Sequence, residues 1–258
     1  MPIPRLSNER CLILSDGGLE SAVVAAIAAE QTSRADTEPP IVMPGWWGAL
    51  TDLDLVLPSI DRAVARQADI FGLSMVTDQT AYPPEQSVDA MTLTDGAMHS
   101  QMLMQAANYA LSLGIRRVIW PTRVGSSLVD FDPTRDLERL ASAIDRSVLI
   151  GRLATLDAGG EGADAELREL VIETPVVDFT NAQLADLAGD LSVPLGGCWW
   201  FHDRQVLPSA HAEFAYWSGL PVLGSRTSGS ISRAACAPWR TGSMCCPCRF
   251  TSLTTNSS

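Results

Sequence analysis

The sequence has no lysine: all 18 of its basic residues are arginine. Alanine is frequent as well, so the bias reflects coding composition, and no mechanism is attached to it. Positive charge is also scarce, with 30 acidic residues giving a net charge of -12. After Glu213 there is no acidic residue, while Arg226, Arg233, Arg240 and Arg249 follow, so the end of the chain is basic and residues 1–213 carry -16. A body of that charge repels a phosphate backbone, which excludes broad electrostatic binding to nucleic acid and requires any phosphate ligand to be held locally. No apolar run approaches the ~18 residues needed to cross a bilayer, so no membrane partner is expected. Residues 1–10 are polar with no apolar stretch behind them, and the expectation is a cytoplasmic protein without a secretory leader. Cysteines are few and uneven: Cys11, Cys198, Cys236, Cys245, Cys246 and Cys248. In a reducing compartment they are free thiols or metal ligands rather than a disulfide frame.

Apolar residues make up 46% of the 258, enough for a full core in one large domain or two small ones. Strand-like and helix-like stretches alternate. Residues 11–14 read as a short buried strand and 21–32 as an alanine-rich helix. Residues 39–43 fit a second strand. Residues 53–71 have helical periodicity, with Leu57, Ile60, Val64 and Ile70 toward one side. A loop containing Pro83 and Pro84 follows. Residues 99–113 form a helix stopped by Gly114, and 117–120 a strand directly after it. Residues 137–149 fit a helix, 171–177 a strand, and 181–191 a helix capped by Thr180. Strands separated by helices imply βαβ units: a doubly wound α/β fold with about five parallel strands and helices on both faces. Residues 157–164 read as a glycine-rich acidic surface loop. From Gly224 onward Ser, Thr, Arg, Gly and Cys dominate without periodicity. The expected division is an α/β domain over 1–222 and an irregular or disordered tail over 223–258, whose abrupt change of composition is that of a shifted reading frame.

The most informative stretch is LILSDGGLESAVV, Leu12 to Val24. A strand ends in a glycine pair that opens a helix. In such a turn the backbone N–H groups converge and the helix N-terminus adds positive potential, which suits phosphate. Gly17 and Gly18 allow close approach and positive φ, and the Ser21 hydroxyl lies in the first helical turn. The same residues also describe a plain tight βα turn, and spacing alone leaves both readings open. SDGGLESAVV resembles the pyrophosphate loop of the PP-loop ATP pyrophosphatase superfamily, whose pattern is Ser-Gly-Gly-x-Asp-Ser. Gly17, Gly18, Leu19 and Ser21 fit it. Asp16 stands where that family has serine and Glu20 where it has aspartate, and Ser15 lies one place early.

A second stretch, residues 172–200, resembles 7-cyano-7-deazaguanine synthase, the nitrile-forming enzyme family of queuosine biosynthesis. The matching parts are Glu173-Thr174-Pro175, Thr180, Val193-Pro194 and Cys198-Trp199-Trp200-Phe201. Residues 99–120 resemble that family's central helix and following strand, and the likeness covers roughly 10–217. It implies an adenine-nucleotide-hydrolase-like sheet with ATP on the loop 14–24. It also implies an ATP-dependent ligase reaction: 7-carboxy-7-deazaguanine is adenylated with loss of pyrophosphate, ammonia displaces AMP to give an amide, and a second adenylation leads to the nitrile. On this reading the loop residues Leu14, Ser15, Asp16, Gly17, Gly18, Leu19, Glu20, Ser21, Ala22, Val23 and Val24 hold ATP. Ser21 and Glu20 act in catalysis, Glu20 orienting Mg2+ or the turn. Family enzymes also imply a homodimer.

The pattern breaks in two places. The family's four zinc cysteines fall here on Phe201, Ser209, Ala212 and Ala215, none of which supplies a thiolate, so no zinc of the family type is expected in the degenerate subdomain at 198–217. Cys198, His202 and His211, and separately Cys236 with Cys245, Cys246 and Cys248, could bind a metal or be unliganded side chains; unliganded is the expectation for both. Asp16 places negative charge where phosphate docks: at an effective dielectric near 20 a charge pair ~4 Å apart is worth about 4 kcal/mol, against about 8 kcal/mol for micromolar affinity. Magnesium bridging Asp16 or Glu20 to phosphate would reverse the sign. Without it, the chain reads as a non-catalytic relative, and another PP-loop adenylating enzyme is the remaining alternative. Further candidates are Arg123, just past a strand end, for neutralising phosphate; His99 facing substrate, with Arg116 and Arg117 flanking the strand; and Trp46-Trp47 and Trp199-Trp200 for stacking on a purine. Arg123 reads equally as a solvated surface arginine, His99 more commonly as a satisfied, partly exposed histidine and the tryptophans more often as packing residues, while Met98, Met102 and Met104 read as core.

Overall fold

Leu12–Ser15 form strand β1, and all four residues are buried. In the computed structural model, which describes residues 9–47, 53–81, 95–125, 129–159, 169–220 and 223, this strand lies at the centre of a five-stranded sheet. Its side chains alternate. Ile13 packs toward one face, with Val42 and Ile119 from neighbouring strands, and Leu12 and Leu14 toward the other, with Met43 and Val118. A strand covered on both faces reads as a continuous apolar run rather than an alternating one. Burying each Leu or Ile stabilises by about 1.5–3 kcal/mol, against about 1–2 kcal/mol per residue for ordering its backbone, so such a run favours the central position.

The chain continues through α1 (Leu19–Ala35), β2 (Ile41–Pro44), α2 (Leu53–Phe71), β3 (Ser74–Met75), α3 (Asp95–Ser112), β4 (Arg117–Ile119), α4 (Pro133–Ala158), β5 (Val171–Glu173), α5 (Asn181–Asp190), a 3-10 turn (Leu195–Gly197), α6 (Trp199–Asp203) and α7 (Pro208–Gly219). The strand order is β3-β2-β1-β4-β5, and every pairing is parallel. The buried residues of α1, α2, α5, α6 and α7 cover one face and those of α3 and α4 the other. This is the doubly wound α/β arrangement. Its order reverses at β1, between β2 on one side and β4 on the other, and in open sheets of this kind ligands bind at the carboxyl ends of the strands at that reversal.

Several elements differ from the pattern reading. Helix α4 is far longer than 137–149: Asp132 caps it by accepting Thr134 N–H at 2.9 Å, and Pro133 fits the first helical position. Its interior holds Gly151, which lies against the Leu170 carbonyl, where a side chain would not fit. Asp157 and Ala158 belong to this helix rather than to the expected loop, the rest of which, after Gly159, lies outside the described residues, as do Pro83, Pro84 and the tail from 224. Strand β5 ends at Glu173 instead of 177, since Pro175 has no N–H for the ladder and 175–178 turn. Ile70 is exposed, unlike Ile60 and Val64. The short edge strand β3 and the helices α6 and α7 gave no sequence signal. Two end signals were legible: Gly114 has φ +71 after α3, and Thr180 caps α5 in a reciprocal capping box with Gln183.

Gly151→Ala has opposite expectations from two effects. Helix propensity alone favours alanine by about 1 kcal/mol. An added Cβ would stand 2.6 Å from the Leu170 carbonyl oxygen, and overpacking of that kind costs about 1–3 kcal/mol. We expect the clash to dominate and the urea midpoint to fall; a rise would show that α4 and the 170 segment separate freely.

Candidate functional site

The turn after β1 opens at the sheet reversal. Gly17 has φ +70, the left-handed region that only glycine enters without strain. A Cβ there would also meet the Ala63 Cβ of α2 at 2.8 Å. Gly17 is therefore fixed by packing as well as by backbone conformation. The Gly17 N–H donates to Ser15 Oγ at 3.1 Å, and Ser15 Oγ donates to Gln67 Oε1 at 3.2 Å. Gln67 Nε2 donates to the Gly18 carbonyl at 3.1 Å and the Gly197 carbonyl at 3.3 Å. Trp199 N–H donates to the Gly17 carbonyl at 2.9 Å. The turn is thus clamped from α2 and from the segment before α6. Gln67 was missed from the sequence, although it falls at i+7 from Ile60 and i+3 from Val64, on the buried side of α2; a polar residue there was the available signal.

The donors expected to hold phosphate are partly engaged already. Asp16 Oδ1 accepts the Gly18 N–H at 2.8 Å and the Ser21 hydroxyl at 2.7 Å. Ser21 Oγ in turn accepts the Asp16 N–H at 3.2 Å. An internal carboxylate therefore occupies the two groups that a phosphate oxygen would seek. Burial and the nearby Glu20 charge push Asp16 up to about 7, against the opposing effect of its hydrogen bonds from Ser21 and Gly18. What remains is the first turn of α1, whose Leu19, Glu20 and Ser21 N–H groups have no acceptor within the helix. The side chains of Leu14, Leu19, Ala22, Val23 and Val24 are buried in the core, which leaves only their backbone for a ligand, and the Ala22 N–H is spent on the Gly18 carbonyl.

Glu20 does not face an open loop. Its Oε1 accepts Arg123 Nε at 3.0 Å, and the Arg123 side chain is only 1% exposed. Arg123, equally readable as a surface residue, is a buried cation beside the first turn of α1. Asp16 is bonded within the turn and Glu20 is paired with arginine, and among the described residues no group of three or more His, Cys, Asp or Glu is placed to hold a metal.

The tryptophans are packing residues more than stacking platforms. Trp199 and Trp200 are buried. Trp46 meets Trp199 edge-on at 6.3 Å, and Trp47 meets Trp120 edge-on at 6.5 Å. His99 Nε2 lies 3.0 Å from the Trp47 carbonyl and so donates to it, with its ring 5.5 Å from Trp120. Met98 and Met102 are core and Met104 half-buried. At 198–217, Arg204 lies over Phe201 at 4.9 Å and Phe214 at 4.4 Å, joining α6 to α7. Cys198 is fully buried, and burial raises its thiol well above the ordinary range, so it is held as the neutral thiol. His202 is bonded to the Gly196 carbonyl at 3.0 Å and His211 is exposed. Cys236, Cys245, Cys246 and Cys248 lie outside the described residues. A cavity of about 650 Å³ lined by Glu9, Arg10, Arg116, Arg117 and Glu173 sits at the opposite edge, where β4 and β5 begin. The sheet's ligand edge is the other one, and the glycine turn is there.

No family model matches this chain. No curated protein matches it either. Among solved structures it is similar to the U34-tRNA thiolase NcsA from Methanococcus maripaludis with its 4Fe–4S cluster, at 13% identity and a TM-score of 0.44, over 82% of this chain and 71% of that one. A likeness at that level carries no functional argument.

Because Asp16 takes up its proton more readily when folded (about 7) than in an ordinary carboxylate environment (3.8), the folded state binds the extra proton between those values, and stability falls as pH rises through that window. Urea titrations from pH 5 to pH 8 should show wild type losing stability relative to Asp16→Asn as pH rises. A difference independent of pH would mean that Asp16 is ionised throughout.

Proposed function

We propose that this protein binds ATP through its phosphates at the turn 14–24 and is an adenylate-forming enzyme of the PP-loop kind. One observation carries this reading: a glycine turn that only glycine can make, at the carboxyl end of the central strand and the sheet reversal, opening a 17-residue helix whose first half is buried. That is where backbone N–H groups and the helix dipole bind a phosphoanhydride. The sequence resemblance narrows the acid to 7-carboxy-7-deazaguanine and the amine to ammonia. The substrate carboxylate would attack the α-phosphorus, pyrophosphate would leave onto the first turn of α1, and ammonia would displace AMP to give the amide. The amide oxygen would be adenylated in a second cycle, and loss of AMP would give the nitrile. The chain's contribution is positioning and stabilisation of charge on departing pyrophosphate. Magnesium enters only as the counter-ion that ATP carries.

Asp16 supports a second reading, a nucleotide-binding relative without turnover. Phosphate must displace it from Gly18 and Ser21, and hydrogen bonds to a charged group are worth about 1.5–3 kcal/mol each. Two such bonds are a large part of the roughly 8 kcal/mol behind micromolar affinity.

Pyrophosphate release with MgATP, ammonium and 7-carboxy-7-deazaguanine separates the two. Substrate-dependent pyrophosphate and AMP are expected of the enzyme; ATP binding without either product supports the non-catalytic relative. Asp16→Ser, which removes the competing charge, should tighten ATP at pH 8 by at least about tenfold, or 1.4 kcal/mol. Unchanged affinity in a folded Asp16→Ser chain would count against phosphate binding in this turn. Gly17 is unsuited as a control because any side chain there collides with α2.

A further inference from the structure

Among the described residues, two arginines with buried side chains are paired with partly exposed glutamates, and the two pairs are built differently. At the amino edge of the sheet, Arg117 donates from Nε and Nη2 to both oxygens of Glu173, at 3.1, 2.8 and 2.8 Å, and from Nη1 to the Glu9 carbonyl at 3.1 Å. Every nitrogen of that guanidinium is used, as expected of a structural pair. At the carboxyl edge, Arg123 gives only Nε to one oxygen of Glu20, and a long 3.5 Å contact from Nη1 to the Phe179 carbonyl. Its Nη2 is buried and has no hydrogen-bond partner. Buried donors of a charged group are rarely left this way.

The orphan nitrogen is held in place. The Arg123 guanidinium lies 6.0 Å over the buried Trp217 ring. A Cβ on Gly125 would stand 3.1 Å from Nη1, so that glycine leaves room for the fork. Through Glu20, the fork sits at the first turn of α1, beside N–H groups that have no acceptor in the helix.

We propose that Arg123 is the anion receptor of this site and Glu20 its resident counter-ion, which gives way when a phosphoanhydride oxygen reaches the first turn of α1. The inference rests on the reading of the turn as a phosphate site and names the residue that makes it one. Glu20 then acts as a gate on the arginine rather than as a group that orients a metal, and the single-oxygen pairing is what leaves it exchangeable. The incoming oxygen takes the Nη2 donor that no protein group uses, and the positive charge of Arg123 offsets the charge that the acidic body would otherwise set against the ligand.

Inorganic pyrophosphate without metal is the probe, titrated by calorimetry into wild type, Glu20→Gln, Arg123→Gln and the double variant, with thermal melting as the folding control. Glu20→Gln is expected to bind pyrophosphate at least about tenfold more tightly than wild type, and Arg123→Gln in that background to lose the gain. If Glu20→Gln folds and binds pyrophosphate no better than wild type, the pair is structural and the inference fails while the phosphate reading stands. If neither wild type, Glu20→Gln nor Asp16→Ser binds pyrophosphate at millimolar concentration, the phosphate reading fails and takes the inference with it. Should Arg123→Gln not fold, the Glu20→Gln comparison alone decides.

Discussion

The buried amide of Gln67 is the constraint on which the site depends. It accepts from Ser15 at the end of β1 and donates to the carbonyls of Gly18 at the start of α1 and Gly197 before α6. One side chain on α2 thus ties together the strand that ends, the helix that begins and the segment that closes over them. Its polar atoms have no access to water, so leaving any of them unpaired would cost about 1–3 kcal/mol. This fixes the turn geometry more firmly than the two glycines could. The absent Cβ of Gly17 completes the arrangement by letting α2 approach.

Within that fixed turn, charge decides what can bind. The turn and the helix dipole favour an anion, and the protein supplies one of its own in Asp16, bonded to Gly18 and Ser21. Burial and Glu20 make that carboxylate easy to protonate near neutral pH. Glu20 is in turn offset by Arg123. The pair of carboxylates that looked incompatible with phosphate is therefore one that can discharge and one that is neutralised by a buried cation. The other half of the molecule shows the contrast: Arg117 and Glu173 close on each other completely and hold β4 to β5.

The 198–217 segment follows the same logic of substitution. Where the resemblance implies thiolates, the chain has Phe201, Ser209, Ala212 and Ala215, and α6 and α7 are joined by aromatic edges and by Arg204 between Phe201 and Phe214. Trp200 packs on both phenylalanines from the core side. A cation between rings is held by the ring quadrupoles and needs no ligand set, so aromatic packing with Arg204 joins α6 to α7.

Local chemistry was legible in the sequence wherever neighbours in the chain decide the outcome. The apolar run at 12–14, the glycine turn, the stop at Gly114 and the cap at Thr180 each follow from backbone and side-chain preferences within a few residues. The parallel α/β class follows from their alternation. What the tertiary structure decided is which polar groups are free. Gln67 reaches Gly18 across 49 positions and Gly197 across 130, and Arg123 reaches Glu20 across 103. No periodicity encodes such partners, because the satisfaction of a buried polar group depends on what the fold brings within about 3 Å. The sequence by itself determined that a glycine turn would form after the first strand and open a helix; the packing of α2 fixed that turn through Gln67, and the segment after β4 brought Arg123 to Glu20.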